Sequence, residues 1–164
     1  MSTVAIPLFD PSISSSVAIS NEAVAIVRER EREYEPARQA PASFAWRGSL
    51  LEQIAEVVDE CSVPAWDGYD AEPVSLFSAG SASDLVRNLP AGIQMPAIVP
   101  EPDGAIALEW QTDDSRLFSL SVNGPAVTYA GRFGGSSRQY GEERFFGTLP
   151  RTILEILTRY FSLE

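Results

Sequence analysis

The sequence predicts a single α+β domain: an antiparallel four-stranded meander packed on one face by helices, one of them C-terminal. Three observations carry this. Asp103-Gly-Ala-Ile-Ala-Leu-Glu-Trp110 alternates Ile106, Leu108 and Trp110 with Ala105, Ala107 and Glu109, the period-2 pattern of a strand with one apolar face. Two more strand-like runs follow it at hairpin spacing. Runs of helical period stand on either side, Leu51, Ile54, Val58 and Cys61 before it and Ile153 to Phe161 after it. With 164 residues, one domain is the default.

Residues 1–45 read as a mobile N-terminal arm with a short charged helix, and residues 46–164 as the domain. Ser20-Asn21-Glu22 looks like the start of that helix, and Pro36 ends it. Its Arg28 to Glu33 run alternates in sign, the pattern of a solvated helix end, with a docking helix for a partner as the sharper reading. Val4, Ile6, Leu8, Phe9 and Ile13 leave a second reading, an arm that docks on the body or on a partner. Ser49-Leu50-Leu51-Glu52 has the form of a capping box and predicts a helix from there to about Cys61, stopped by Pro64. A weaker helix is expected over 75–89, because Gly80 and several serines interrupt Phe77, Ala82, Leu85, Val86 and Leu89. Ala97-Ile98-Val99 between Pro96 and Pro100 predicts a short edge strand. Pro102-Asp103-Gly104 is a turn leading into the strand over 104–111. Thr112 to Ser115 is the next turn, 117–122 the third strand, Asn123-Gly124 a hairpin turn and 127–133 the fourth strand. Gly134 to Ser137 reads as a flexible loop, and Leu149-Pro150 opens the last helix.

Composition narrows the function. The net charge is −11, with 12 basic residues against 23 acidic ones and no histidine. Every basic residue is arginine. An acidic surface argues against a nucleic-acid backbone and against an anionic membrane, and it would steer a basic protein partner towards the chain. The missing histidine and lysine remove the commonest general base, the commonest metal ligand and the P-loop cation. No cofactor is expected. Cys61 is the only cysteine, lies on an apolar helical stripe and is expected in the core; a reducing, cytoplasmic setting is the simplest expectation.

The least bland stretch is Trp66-Asp67-Gly68-Tyr69-Asp70-Ala71-Glu72-Pro73. Asp67, Asp70 and Glu72 could meet Asp103 and Glu109 if this loop folds over the sheet. Such carboxylates can hold a divalent cation or act as an acid/base pair, with Trp66, Tyr69 and Trp110 as an aromatic platform. The plainer reading has Trp66 and Tyr69 plugging the core edge while Asp67 caps a turn that Gly68 permits. Gly131 to Gly135, beside Ser136 and Arg138, has the composition of an anion nest, though such a loop is usually only a loop.

Together these motifs resemble a group of small, mostly uncharacterised bacterial proteins with the pattern W-D-G-Y-x-A-x-P, a helix ending in L-P, P-x-I-x-P, then D-G-x-I-x-L-E-W and a meander. The resemblance spans about residues 48–160, includes Leu89-Pro90 and departs at Asp70, where the pattern more often has glycine. It implies an antitoxin- or immunity-like partner protein.

Three functions are thus in view. The first is a non-enzymatic acidic binding module, acting on a protein partner through Trp66, Asp67, Tyr69, Asp70, Glu72, Asp103 and Glu109. The second is a carboxylate-based metal-binding or hydrolytic enzyme using the Trp66–Pro73 loop. The third is a self-assembling structural protein, using a sheet edge or the Arg28–Glu33 helix, which leaves room for a homo-oligomer.

Overall fold

A computed structural model describes residues 42–113 and 115–163. The expected charged helix and the arm before Ala42 lie outside them. The described chain runs α1 (Ala42–Glu60), α2 (Leu76–Asn88), β1 (Ala97–Pro100), β2 (Ile106–Asp113), β3 (Arg116–Asn123), β4 (Ala126–Phe133), β5 (Arg138–Arg144) and α3 (Arg151–Tyr160). The strands form one antiparallel sheet in chain order, β1 to β5.

The sheet therefore has five strands rather than four. The added strand is β5, Arg-Gln-Tyr-Gly-Glu-Glu-Arg, none of whose residues is buried. It pairs with β4 by backbone and carries no apolar alternation, so the pattern that exposes the other strands is missing from it. β1 lies at the opposite edge, as its flanking prolines predict.

Cross-strand partners share a face, which sorts the sheet into two layers. One row runs Ile98–Leu108–Leu120–Tyr129–Gly141 and another Pro100–Ile106–Val122–Val127–Glu143. Trp110 and Phe118 form a third pair on that side. Leu108, Leu120, Ile106, Val122, Val127, Trp110 and Phe118 are buried and make one core with Leu50, Ile54 and Val58 of α1, Ala82, Leu85 and Val86 of α2, and Ile153, Ile156 and Leu157 of α3. The other face carries Ala97–Glu109–Ser119–Ala130–Tyr140 and Val99–Ala107–Ser121–Thr128–Glu142, small or polar side chains that leave it smooth.

The core is aromatic at one end. Phe161 stands 6.1 Å from Phe118 and 6.4 Å from Trp110, ring centre to ring centre, and Tyr160 stacks on Phe133 at 4.3 Å. A helix of ten residues is too short to hold itself in water, so burying Ile153, Ile156 and Leu157 is what forms α3. Gly131 sits mid-strand beneath these rings: a Cβ there would meet the Phe133 ring at 2.4 Å and Phe118 at 2.9 Å. It is a packing glycine inside β4, and Phe133 closes the strand before Gly134, so Gly131 to Gly135 do not form one nest.

Two local expectations are corrected. Helix α1 begins at Ala42, about two turns before the predicted start, so Ser49 lies inside it and receives only a 3.4 Å bond from Gln53 instead of capping. The longer helix follows from Trp46, which packs on the core, and from Arg47, whose guanidinium donates to the Leu89 carbonyl at the end of α2. The β3–β4 turn is centred on Gly124-Pro125, because Asn123 pairs with Ala126. Gly124 takes φ +66°, the positive value that the first central position of a type II′ hairpin turn needs. Helix α2 is capped by Ser75, whose hydroxyl accepts from the Ser78 amide at 3.0 Å, and this offsets its weak propensity.

Candidate functional site

The loop between α1 and α2 is built by its own short-range bonds. Asp67 accepts the amides of Tyr69 (2.9 Å) and Ala71 (3.3 Å) on one carboxylate oxygen. The Trp66 indole N–H donates to the Glu72 carbonyl at 2.9 Å, and its ring packs against the core. The amide of Ala65 donates to the Ala71 carbonyl at 2.8 Å, closing the loop at its neck, and Gly68 donates to the Ala65 carbonyl at 2.9 Å. Gly68 at φ +83° and Ala65 at φ +59° turn the chain; Ala65 is the only non-glycine with positive φ among the described residues. A left-handed alanine costs about 1–2 kcal/mol, which the closing bonds offset.

The loop then sits on the turn that opens β2. Glu72 donates its amide to the Pro102 carbonyl at 2.8 Å, and Ser75 donates to Gly104 at 3.0 Å. That turn is also locally determined: Gly104 donates to Glu101 at 3.0 Å, and the Asp103 carboxylate accepts the Ala105 amide at 3.2 Å. Beside it, Ser121 donates its hydroxyl to the Glu101 carboxylate. Gly104 has φ +80°, and a Cβ there would stand 2.7 Å from the Pro73 carbonyl oxygen, so the approach of the two segments requires glycine.

Trp66, Asp67, Tyr69, Asp70 and Glu72 are thus brought together on one loop, and Asp103 on the turn against it. Glu109 is not with them. It is four residues beyond Ala105 on β2, about 13 Å at a strand's rise, half-buried among Ala97 and Ser119 on the smooth face. Among the described residues no three Asp, Glu or Cys side chains form a group able to hold a metal ion. Asp67 and Asp103 already hold backbone amides, which is the work of turn-forming residues.

The two aromatics of the loop part company. Trp66 is anchored, as the plainer reading expects, but Tyr69 plugs nothing: it is 83 % exposed at the apex, with Asp70 and Glu72 exposed beside it. Cys61 is buried where α1 meets this loop, and its carbonyl accepts the Val74 amide at 2.9 Å. Burial pushes its thiol above the usual range and the neighbouring Glu60 charge adds to this, the reverse of what a nucleophile needs. No described helix is long and apolar enough to cross a membrane.

β5, which carries no apolar alternation, adds an exposed surface of its own. It presents Tyr140, 84 % exposed, between Arg138 and Glu142 on the smooth face. The signal in the sequence was the pair of opposite charges four apart around an aromatic, which has no meaning until the segment is known to be an edge strand. The chain matches no protein-family model, no curated protein and no solved structure.

Proposed function

We propose that this protein is a non-enzymatic binding module whose acidic surface takes a basic protein partner, as an antitoxin, immunity protein or inhibitor does. The observation that carries this is the Tyr69 loop. Its internal hydrogen bonds hold its shape, yet it leaves a tyrosine 83 % exposed at its tip, followed in the chain by the exposed Asp70 and Glu72. A rigid aromatic loses little conformational entropy on contact, and tyrosine is a common anchor of binding energy at interfaces. Flanking carboxylates favour a cationic surface opposite it, and the net charge of −11 would speed that encounter.

The test is affinity capture from the source organism with the tagged chain, using Tyr69→Ala as the reference. The reading predicts a basic protein retained by the wild type and reduced at least about tenfold with Tyr69→Ala, since truncating an anchor residue costs about 2 kcal/mol or more. Equal recovery with both chains, or no protein held by either, overturns it.

A further inference from the structure

We propose that β5 is a self-pairing edge, through which a second copy of this chain continues the sheet in one register. The two edges of the sheet are unlike. β1 has four residues, ends in Pro100 and follows Pro96, which cannot donate to a ladder. β5 has seven residues and no proline, and its Arg138, Gln139, Tyr140, Glu142 and Arg144 are exposed.

The direction of its free backbone groups follows from the bonds at its two ends. Phe145 donates its amide to Pro125 at 2.9 Å, and Phe133 donates to the Ser137 carbonyl at 3.0 Å. Both pairs continue the β4–β5 register. Hydrogen-bonded and non-bonded pairs alternate along an antiparallel ladder. The odd-numbered residues of β5 therefore turn their backbone groups towards β4. Arg138, Tyr140, Glu142 and Arg144 turn theirs outward, and their side chains lie on the smooth face.

A copy related by a twofold axis perpendicular to the sheet keeps that face on one side and must pair even-numbered residues with even-numbered ones. Three registers use most of the strand. Centring on Gly141 sets Arg138 against Arg144, a like pair, at both ends. Centring on Glu142 sets that carboxylate against its own copy. Centring on Tyr140 sets Arg138 against Glu142 twice, and Tyr140 against Tyr140. On the other face Gln139 then meets Gly141, where the Tyr129 ring lies against the backbone. This register exchanges about six backbone hydrogen bonds, two at each of the paired positions.

Arg138 and Glu142 make no ion pair with each other or with any described residue. Four apart on one strand, they are about 13 Å from each other and cannot meet within a chain. Charges on an edge ordinarily discourage pairing. Of the three registers that use most of the strand, the charges favour the one centred on Tyr140 and set like against like in the other two. The net charge opposes association of copies, but it is screened beyond about 8 Å at physiological salt.

The experiment is sedimentation velocity on the full chain in 0.15 M salt (a Debye length of about 8 Å), up to about 0.5 mM protein, where an association with Kd near 0.1 mM is well populated. The wild type is expected to dimerise. Glu142→Arg and Arg138→Glu each turn both cross-strand pairs repulsive and are expected to weaken the homodimer at least about tenfold. Mixed together, these two variants present opposite charges at every paired position and are expected to form a heterodimer near wild-type strength. A merely misfolded variant would not be rescued in this way. A wild type that stays monomeric overturns the proposal, as does a dimer that Glu142→Arg leaves unchanged or a mixture that stays monomeric.

Discussion

Replacing Gly104 by alanine tests whether the Tyr69 loop is held on the sheet as described. The substitution has two separable costs. The backbone there has φ +80°, which charges an L-residue about 1–2 kcal/mol. The new Cβ would also stand 2.7 Å from the Pro73 carbonyl oxygen, a backbone atom that cannot rotate away. The junction must open, lengthening the Ser75–Gly104 and Glu72–Pro102 bonds, each with a net value of about 1 kcal/mol. The total is about 3–4 kcal/mol. Gly147 is the internal reference: its φ is +79°, but no heavy atom lies within 4 Å of its Cβ position. Gly147→Ala therefore carries the conformational cost alone. Thermal unfolding followed by circular dichroism should show Gly104→Ala melting about 8 °C below Gly147→Ala, taking about 4 °C per kcal/mol for a domain of this size. Equal losses would mean that nothing presses on Gly104, and the docked loop would have to be abandoned.

Other outcomes follow from the same contacts. The Trp110 indole donates to the Gln94 carbonyl at 2.8 Å from a site 1 % exposed. Trp110→Phe should cost about 2–4 kcal/mol in urea unfolding, from the lost bond and the smaller ring, with the denaturant slope unchanged; a loss under about 1 kcal/mol would deny that bond its role. Ala65→Gly should be neutral or stabilising by up to about 1 kcal/mol, since relief of the left-handed backbone outweighs the entropy that glycine adds; a loss of that size, usual for alanine to glycine in regular structure, would contradict the strain. Burial of Cys61 predicts slow alkylation of the native chain at pH 8 and fast alkylation in urea. Because the folded thiol titrates above the unfolded one, its contribution to stability is complete below the unfolded value and is lost as pH rises through the folded one. Stability that instead grew with pH across that range would reverse the assignment.

What was legible in the sequence was whatever a buried face imposes. Ile106, Leu108 and Trp110 alternate because one side of β2 is core, and Ile153, Ile156 and Leu157 recur at helical spacing because α3 must bury them. The turn at Pro102-Asp103-Gly104 was legible because each residue type there has its own backbone role. β5 was not, since neither of its faces is buried and its pairing is written in backbone groups. The true start of α1 was hidden by a capping box whose local signal loses to the contacts of Trp46 and Arg47. Of the site, the loop from Trp66 to Pro73 stood out from its aromatic and acidic content. Which aromatic anchors and which is presented depends on the Trp66–Glu72 bond, a tertiary fact. Whether Glu109 could join the others was not legible, because it depends on how far its strand carries it from the loop.

The measurement that bears most directly on the binding reading is amide hydrogen exchange of the wild-type chain, alone and saturated with the protein it captures. The account predicts added protection over residues 65–72, and loss of that footprint in Tyr69→Ala. Protection confined to other surfaces, with the Tyr69 loop exchanging as in the free chain, would contradict it.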